Sequence, residues 1–219
     1  MITVPEVVEK IIVNSPLLEE ALYEGLINYS SLARKIKPDV QKKLMKNVQE
    51  GAILMALRRL SKKLKPNPSL KKILQSNPDL IVRSNLVECV IANTNFTVEM
   101  HKELLAFAEE QENYFMTITE GVYETTIIAS QELYGKIKAT LTNENIIKEL
   151  LNLSSITIRL PQNNIYTPGL YYFFLKALAW EGINLVEVVS AYTEFTVILE
   201  DREVDRAFSV LKKSLSGKN

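Results

Sequence analysis

The spacing of apolar positions changes character once along the chain, near residue 77. Before that point the period is helical. Val7, Val8, Ile11 and Ile12 fall at i, i+3, i+4 intervals, as do Leu18, Ala21 and Leu22 after the break at Pro16, and each group predicts a short helix. In NYSSLARKI, Ser30 or Ser31 is the expected N-cap of a helix that turns Leu32, Ala33 and Ile36 inward and ends at Pro38. The most amphipathic stretch is VQEGAILMALRRLSKKLK. There Ile53, Ala56, Leu57, Leu60 and Leu64 share one face, and Arg58, Arg59, Lys62 and Lys63 point elsewhere. KPNPSLKKILQSNPDL, with Pro66, Pro68 and Pro78, reads as a connector.

Beyond it a period of two alternates with 3.6. In LVECVIANT, Val87, Cys89 and Ile91 alternate with Glu88 and Val90, the pattern of a half-buried strand with the second set outward. TVEMHKELLAFAEEQ predicts a helix with Val98, Leu104, Leu105 and Ala108 inward. YFMTITEG and ETTIIAS predict two strands joined around Gly121, and QELYGKIKATL a second helix. The same order then recurs. SSITIRLP is a strand, and PGLYYFFLKALAWEG a helix opened by Pro168 and stopped by Gly182. INLVEVVSAY and EFTVILE are strands, and REVDRAFSVLKKSL is a helix with Val204, Ala207, Phe208, Leu211 and Leu215 on one face. A repeat of roughly 70 residues is too long for a solenoid unit and fits two small α/β sandwiches.

Composition adds limits. The chain has 219 residues, 47% hydrophobic and 24% charged, with 7 Gly and 8 Pro, which disfavours disordered and collagen-like classes. Its longest apolar runs, such as Tyr171 to Leu175, are far shorter than the roughly 20 residues of a membrane span. Glu6 and Glu9 stand where a secretory signal would be basic, so a cytoplasmic location is expected. Cys89, the single cysteine, excludes an intrachain disulfide and reads as a small buried strand residue. The net charge is zero but unevenly spread: −4 over residues 1–33, +11 over 34–73 and −7 over the remainder. Such asymmetry points either to an anionic partner or to a solvated basic helix surface.

Catalytic chemistry finds little material. His101, the only histidine, lies on a predicted helix without a cysteine nearby, so neither a triad nor a metal site assembles around it. No GxxxxGK[ST] or GxGxxG occurs, and Glu109, Glu110 and Glu112 read as a solvated helix end. We expect a protein that is not an enzyme and has no cofactor or metal.

The informative stretch is SITIRLPQNNIYTPGLYYFFLKALAWEGINLVEVVSAYTEFTVILE. A strand, a loop ending in Thr167-Pro168-Gly169, a helix with the pair Ala177-Leu178, then Gly182-Ile183-Asn184, Ser190 and Glu194 ahead of an apolar strand resemble an ACT domain, especially those that end aspartokinases. The earlier copy has ANTNFTVEM where the Pro-Gly turn would stand. The resemblance implies a ferredoxin-like fold and, since kinase motifs are absent, regulation without catalysis. It further implies an amino-acid effector bound where two modules meet. The residues expected to touch it are Asn163, Asn164, Thr167, Pro168, Gly169, Leu170 and Asn184, with the exposed helix N-terminus at Pro168 attracting a carboxylate.

In the helical part, LLEEALYEGLINYSSLARKI resembles the opening two helices of a helix-turn-helix domain, with Leu32 and Ala33 in the customary Leu-Ala position. VQEGAILMALRRLSKKLK would then be the recognition helix, with Arg58, Arg59, Lys62 and Lys63 meeting phosphates or base edges. About ten residues, KPDVQKKLMK, separate the two helices on this reading.

The expectation is therefore an α+β chain: an all-helical, helix-turn-helix-like domain over 1–76, then ACT-like βαββα modules over 79–152 and 153–219. The expected function is a cytoplasmic, homodimeric regulator that senses an amino acid or similar metabolite, with DNA as a further partner. The alternative is a regulatory or dimerisation subunit of an amino-acid-metabolism enzyme that binds no DNA.

Overall fold

The computed structural model describes residues 2–64, 72–73, 76, 78–109, 114–141 and 146–216. It divides into two compact units, Met1–Pro68 and Ser69–Asn219. Most of the proline-rich connector, including Asn77, falls outside the described residues, as do Glu110 and Glu112.

The first unit contains α1 (Val4–Val13), α2 (Pro16–Tyr23), α3 (Tyr29–Leu44) and α4 (Glu50–Lys63). A capping box at Thr3 and Glu6 opens α1 and satisfies two of its otherwise unpaired amides. The core takes Val7, Val8 and Ile12 from α1 and Leu22 from α2, together with Leu32, Ile36 and Val40 of α3 and Ile53, Leu57 and Leu60 of α4. Two local expectations are corrected. The cap of α3 is Asn28, whose Oδ1 accepts from the Ser31 amide, rather than Ser30 or Ser31. Nor does Pro38 end α3; it sits inside the helix, which continues to Leu44, because Val40 beyond it is wholly buried and holds the following turns to the core. Of the expected spacer KPDVQKKLMK, the residues KPDVQKKL are helix.

The second unit is a six-stranded antiparallel sheet with helices. Its elements are β1 (Leu80–Ala92), α5 (Val98–Glu109), β2 (Met116–Glu120), β3 (Glu124–Ser130), α6 (Tyr134–Leu141), β4 (Ile146–Arg159), α7 (Leu170–Trp180), β5 (Glu187–Ala191), β6 (Glu194–Glu200) and α8 (Val204–Leu215). Strand order is β2-β3-β1-β4-β6-β5, which reads the same from either edge when each strand of the first half is exchanged for its counterpart in the second. The two halves share their long strands. The C-terminal part of β1 pairs with β3 (Cys89 opposite Ile127) and its N-terminal part with β4 (Leu80 opposite Ile158). Reciprocally, the end of β4 pairs with β6 (Ile156 opposite Val197) and its start returns to β1 (Glu149 opposite Cys89).

Asn85 and Asn152 mark corresponding points in the shared strands. Both adopt the left-handed conformation, φ 57°, which asparagine tolerates better than most residues, and the β1–β4 register slips between Arg83 and Leu86. The extra residue switches the phase of alternation. Leu80 before it and Cys89 and Ile91 after it consequently all face helix-side cores, one beneath α7 and α8, the other beneath α5 and α6.

The opposite, helix-free face is covered at its centre, although Ile81 and Arg83 near one end of it are exposed. The sheet curls, and Leu86, Ile128, Leu153 and Ile198 are buried there with Phe115, Leu150, Val186 and Val189 packed against them. This overturns the expectation that Glu88 and Val90 point outward: both are buried. Two further inward assignments fail on α5, where Val98 and Leu105 are exposed and Leu104 is fully buried, with Met100 and Phe107 completing the contact. No helix among the described residues is long and apolar enough to cross a membrane.

Candidate functional site

The loop from β4 to α7 is held by its own polar groups. A 3-10 turn covers Gln162–Tyr166, and the Leu160 amide donates to the Thr193 carbonyl at 2.7 Å, tying the loop to the β5–β6 hairpin. Asn164 is buried; its Nδ2 donates to the carbonyls of Pro161 (2.9 Å) and Tyr192 (2.7 Å). Thr167 is also buried, its hydroxyl directed at the Asn163 carbonyl at 3.4 Å. Tyr192 returns the tie by donating from its hydroxyl to the Gln162 carbonyl at 3.1 Å. Two of the expected ligand residues, Asn164 and Thr167, are thus committed to shaping the loop.

Pro168 is not the first helical residue. Gly169 is the N-cap of α7, with φ 83°, and Leu170 begins the helix. An added Cβ at Gly169 would meet nothing within 4 Å, so glycine is required there by conformation and not by space. The helix start has no side-chain cap. Leu170 turns into the core with Phe174 and Leu178, which removes it from the surface a ligand could reach. Asn163, Pro168, Gly169 and Asn184 are exposed.

Behind the loop stands an aromatic wall. Tyr171 stacks on Phe195 with centroids 4.8 Å apart, and Phe174 stacks on the same ring at 5.8 Å. The Tyr171 hydroxyl and Ser190 Oγ lie 2.9 Å apart, joining the first turn of α7 to β5. Sequence reasoning missed Tyr171, although its place two residues after the Pro-Gly turn was a usable signal. At the far end, Gly182 with φ 68° stops α7, and the Ile183 amide donates to the Leu178 carbonyl. Asn184 follows immediately. It lies beyond the length of α7, about 16 Å of helix, from the Gly169 turn, so one half of this sheet does not bring Asn184 together with Asn163 and Gly169.

In the first half the same job falls to Asn93. Its amide nitrogen donates to the Gly121 carbonyl at 2.7 Å and its Oδ1 accepts from the buried Thr125 hydroxyl at 2.7 Å. Thr97 caps α5 by accepting from the Met100 amide. His101 pairs with Glu120, Nδ1 to Oε1 at 3.2 Å, and sits beside the Phe96 ring. Burial, aided by the Glu149 carboxylate, pushes the Cys89 thiol up to about 11, so it is not a nucleophile at neutral pH. No group of three or more histidine, cysteine or acidic side chains among the described residues is placed to hold a metal ion.

On α4, Arg58, Arg59, Lys62 and Lys63 are exposed and oppose the buried Ile53, Leu57 and Leu60. The turn from α3 to α4 is Met45–Gln49, with Met45 left-handed at φ 51°. It is therefore half the length expected from the sequence, since α3 absorbs the remainder. An ion pair, Lys37 Nζ to Glu50 Oε1 at 3.4 Å, spans the two helices.

No protein family and no curated protein matches the chain by sequence. Solved structures are similar in fold. The chain is similar to aspartate kinase from Clostridium acetobutylicum, described as an allosteric enzyme, at 16% identity and a TM-score of 0.51, over 62% of this chain and 34% of that one. It is similar to the ligand-free regulatory subunit of aspartate kinase from Thermus thermophilus at 14% identity and a TM-score of 0.48, over 62% and 95%. A putative C-terminal regulatory domain of aspartate kinase from Porphyromonas gingivalis W83 is similar at 10% identity and a TM-score of 0.48, over 63% and 96%. A share of 62% exceeds what Met1–Pro68 can supply, so the likeness involves the sheet unit. The fold of the sheet unit is therefore similar to part of the Clostridium aspartate kinase, of whose length the chain spans 34%.

Proposed function

We propose that this protein is a non-catalytic regulatory subunit that binds an amino acid and transmits its presence to an enzyme of amino-acid metabolism. The observation that carries this reading is the pair of interlocked sheet halves whose fold is similar to that of an allosteric aspartate kinase. The Thr167-Pro168-Gly169 turn is the favoured contact for the effector carboxylate, with Asn163 beside it. Because Asn184 stands at the other end of α7, a ligand touching both Asn184 and this turn has to lie between two halves or two copies. That requirement favours a homodimer as the binding species.

A thermal-shift screen of the common amino acids tests the reading. One of them should raise the melting temperature, since a ligand at 100 times its Kd adds about 2.7 kcal/mol. Asn163→Ala and Asn184→Ala, both on exposed side chains, should remove that shift while leaving the unliganded melting temperature in place. Absence of any shift at millimolar concentration overturns the sensor and leaves a dimerisation role. Co-purification with a kinase-type catalytic chain is the corresponding test of the subunit assignment.

A second reading, DNA binding by the helical unit in a ligand-responsive regulator, is supported by the exposure of Arg58, Arg59, Lys62 and Lys63 and by the short turn that precedes their helix. Specific binding would persist at physiological salt and be lost in Arg58→Ala/Arg59→Ala. Binding that decays steeply with salt and ignores sequence would reduce this face to a generic polyanion surface.

A further inference from the structure

Among the described residues three buried side-chain atoms have no hydrogen-bond partner: Thr140 Oγ1, Ser155 Oγ and Glu88 Oε2. Only the last belongs to an ionisable group, and Glu88 retains 4% of its accessible surface. It lies on β1 between Leu86 and Val90, opposite Ile128 of β3 and Leu150 of β4, on the helix-free face. Ser155, the other orphan of this face, stands opposite Ile198 of β6.

The core surrounding Glu88 joins the two halves of the sheet, since Leu86 and Ile128 come from the first and Leu153 and Ile198 from the second. Two charged groups act on it. Glu187 of β5, in the second half, opposes ionisation, and Lys148 of β4 favours it. Its register partners, Ile128 of β3 and Leu150 of β4, carry no charge; farther along the same face stand Glu124 at the start of β3 and Glu200 at the end of β6, the latter paired with Arg202, and Arg83, earlier on β1, lies over the Phe115 ring at 6.0 Å. A carboxylate here would be desolvated, would lack a donor for one oxygen and would face a second carboxylate across the seam.

We propose that Glu88 is a proton-operated latch between the two halves of the sheet: neutral, its carboxyl is accommodated in the core that joins them, and ionised, it loosens that core. Burial, then Glu187, hold the Glu88 carboxyl above the ordinary carboxylate range, with Lys148 opposing. The folded state therefore keeps this proton at a pH where the unfolded chain has released it. The stabilisation is complete below the unfolded carboxyl's range and is lost as pH rises through the raised folded value. The inference concerns the seam and does not depend on any effector.

The test compares the full-length chain with Glu88→Gln and with Glu187→Gln between pH 4.5 and 8.5. The melting temperature of Glu88→Gln should match the parent at the acid end and exceed it at pH 8 by about 2–4 °C, the shift a modest local gain produces in a chain of this size. Glu187→Gln removes the opposing charge, brings the folded Glu88 carboxyl closer to its ordinary range and should give a smaller drop between pH 5 and 8. Hydrogen-exchange protection of the Val186 and Val189 amides, corrected for intrinsic rate, should fall on that pH rise in the parent and hold in Glu88→Gln. A gap between Glu88→Gln and the parent that is constant with pH, a Glu187→Gln profile that overlays the parent, or protection at Val186 that ignores pH would each overturn the latch.

Discussion

The two halves of the sheet unit have the same elements in the same order and place asparagine at the same left-handed position, yet they solve one local problem with different chemistry. Thr125 and Phe195 occupy equivalent positions, facing Ile91 and Ile158 on the neighbouring strands. In the first half that position is polar, and Thr125 bonds to Asn93 to fasten the strand exit to the hairpin. In the second half it is aromatic, Phe195 anchors Tyr171 and Phe174, and the hairpin is fastened instead by Asn164 within a longer loop. The shared strands fix topology in both halves. The loops above them are free to diverge, and the second half alone acquires an exposed Pro-Gly turn.

The largest effect that tests this contrast comes from its apolar side. Phe174→Ala empties the space beside Phe195 and should cost about 3–5 kcal/mol, whereas Leu104→Ala, at a fully buried position of α5, falls in the broader range of about 2–5 kcal/mol. Because β1 and β4 belong to both halves, either variant should lower a single unfolding transition of the sheet unit. Two separate calorimetric transitions, with Phe174→Ala moving only one, would show that the halves are independent. Next come the polar ties. Asn164→Ala and Asn93→Ala each strand hydrogen-bonding groups and should cost about 1–3 kcal/mol by chemical denaturation. Equal costs would support equivalent fastening, and a negligible cost for Asn93→Ala would mean the first half holds its hairpin by backbone bonds alone. Smaller still, Gly169→Ala should cost about 1 kcal/mol, purely from the left-handed backbone, because the added methyl has open space. A loss several times larger would indicate a contact at the turn that its open surroundings do not account for. The mildest test is chemical: alkylation of Cys89, wholly buried and with its thiol held protonated, should be slow in the native chain at pH 8, and rapid labelling there would mean that the first half opens readily.

Much of this architecture was legible from periodicity. The amphipathic faces of α4 and α8 and the strand ETTIIAS stand where their spacing put them. What was not legible depended on partners distant in sequence. NIIKELLNL alternates poorly, so the first part of β4 is visible only once β1 is known to lie beside it. Glu88 was assigned to solvent because alternation assumes a sheet with one wet face; the doubly apolar runs Ile127-Ile128 and Val197-Ile198-Leu199 were the available sign that both faces are covered. Pro38 looked like a terminator because local propensity omits the burial of Val40. At the candidate site, the Thr167-Pro168-Gly169 turn was found by its letters. The internal commitments of Asn164 and Thr167 were not, since an asparagine in a loop reads the same whether it faces a ligand or a backbone carbonyl.

The strand sharing also sets an order of events during synthesis. Leu80 pairs with Ile158, so the opening residues of β1 leave the ribosome long before their partner exists. The first half can complete its own four strands once β4 has begun, but the second half closes by reaching back to the strand of the sheet that is made first. Such a closure is non-local and correspondingly slow. Until β4 is extended past Asn152 the N-terminal end of β1 is an open edge, a template on which a second nascent chain could pair, and the exposed Arg83 and Asn85 on that stretch are the kind of residues that discourage it.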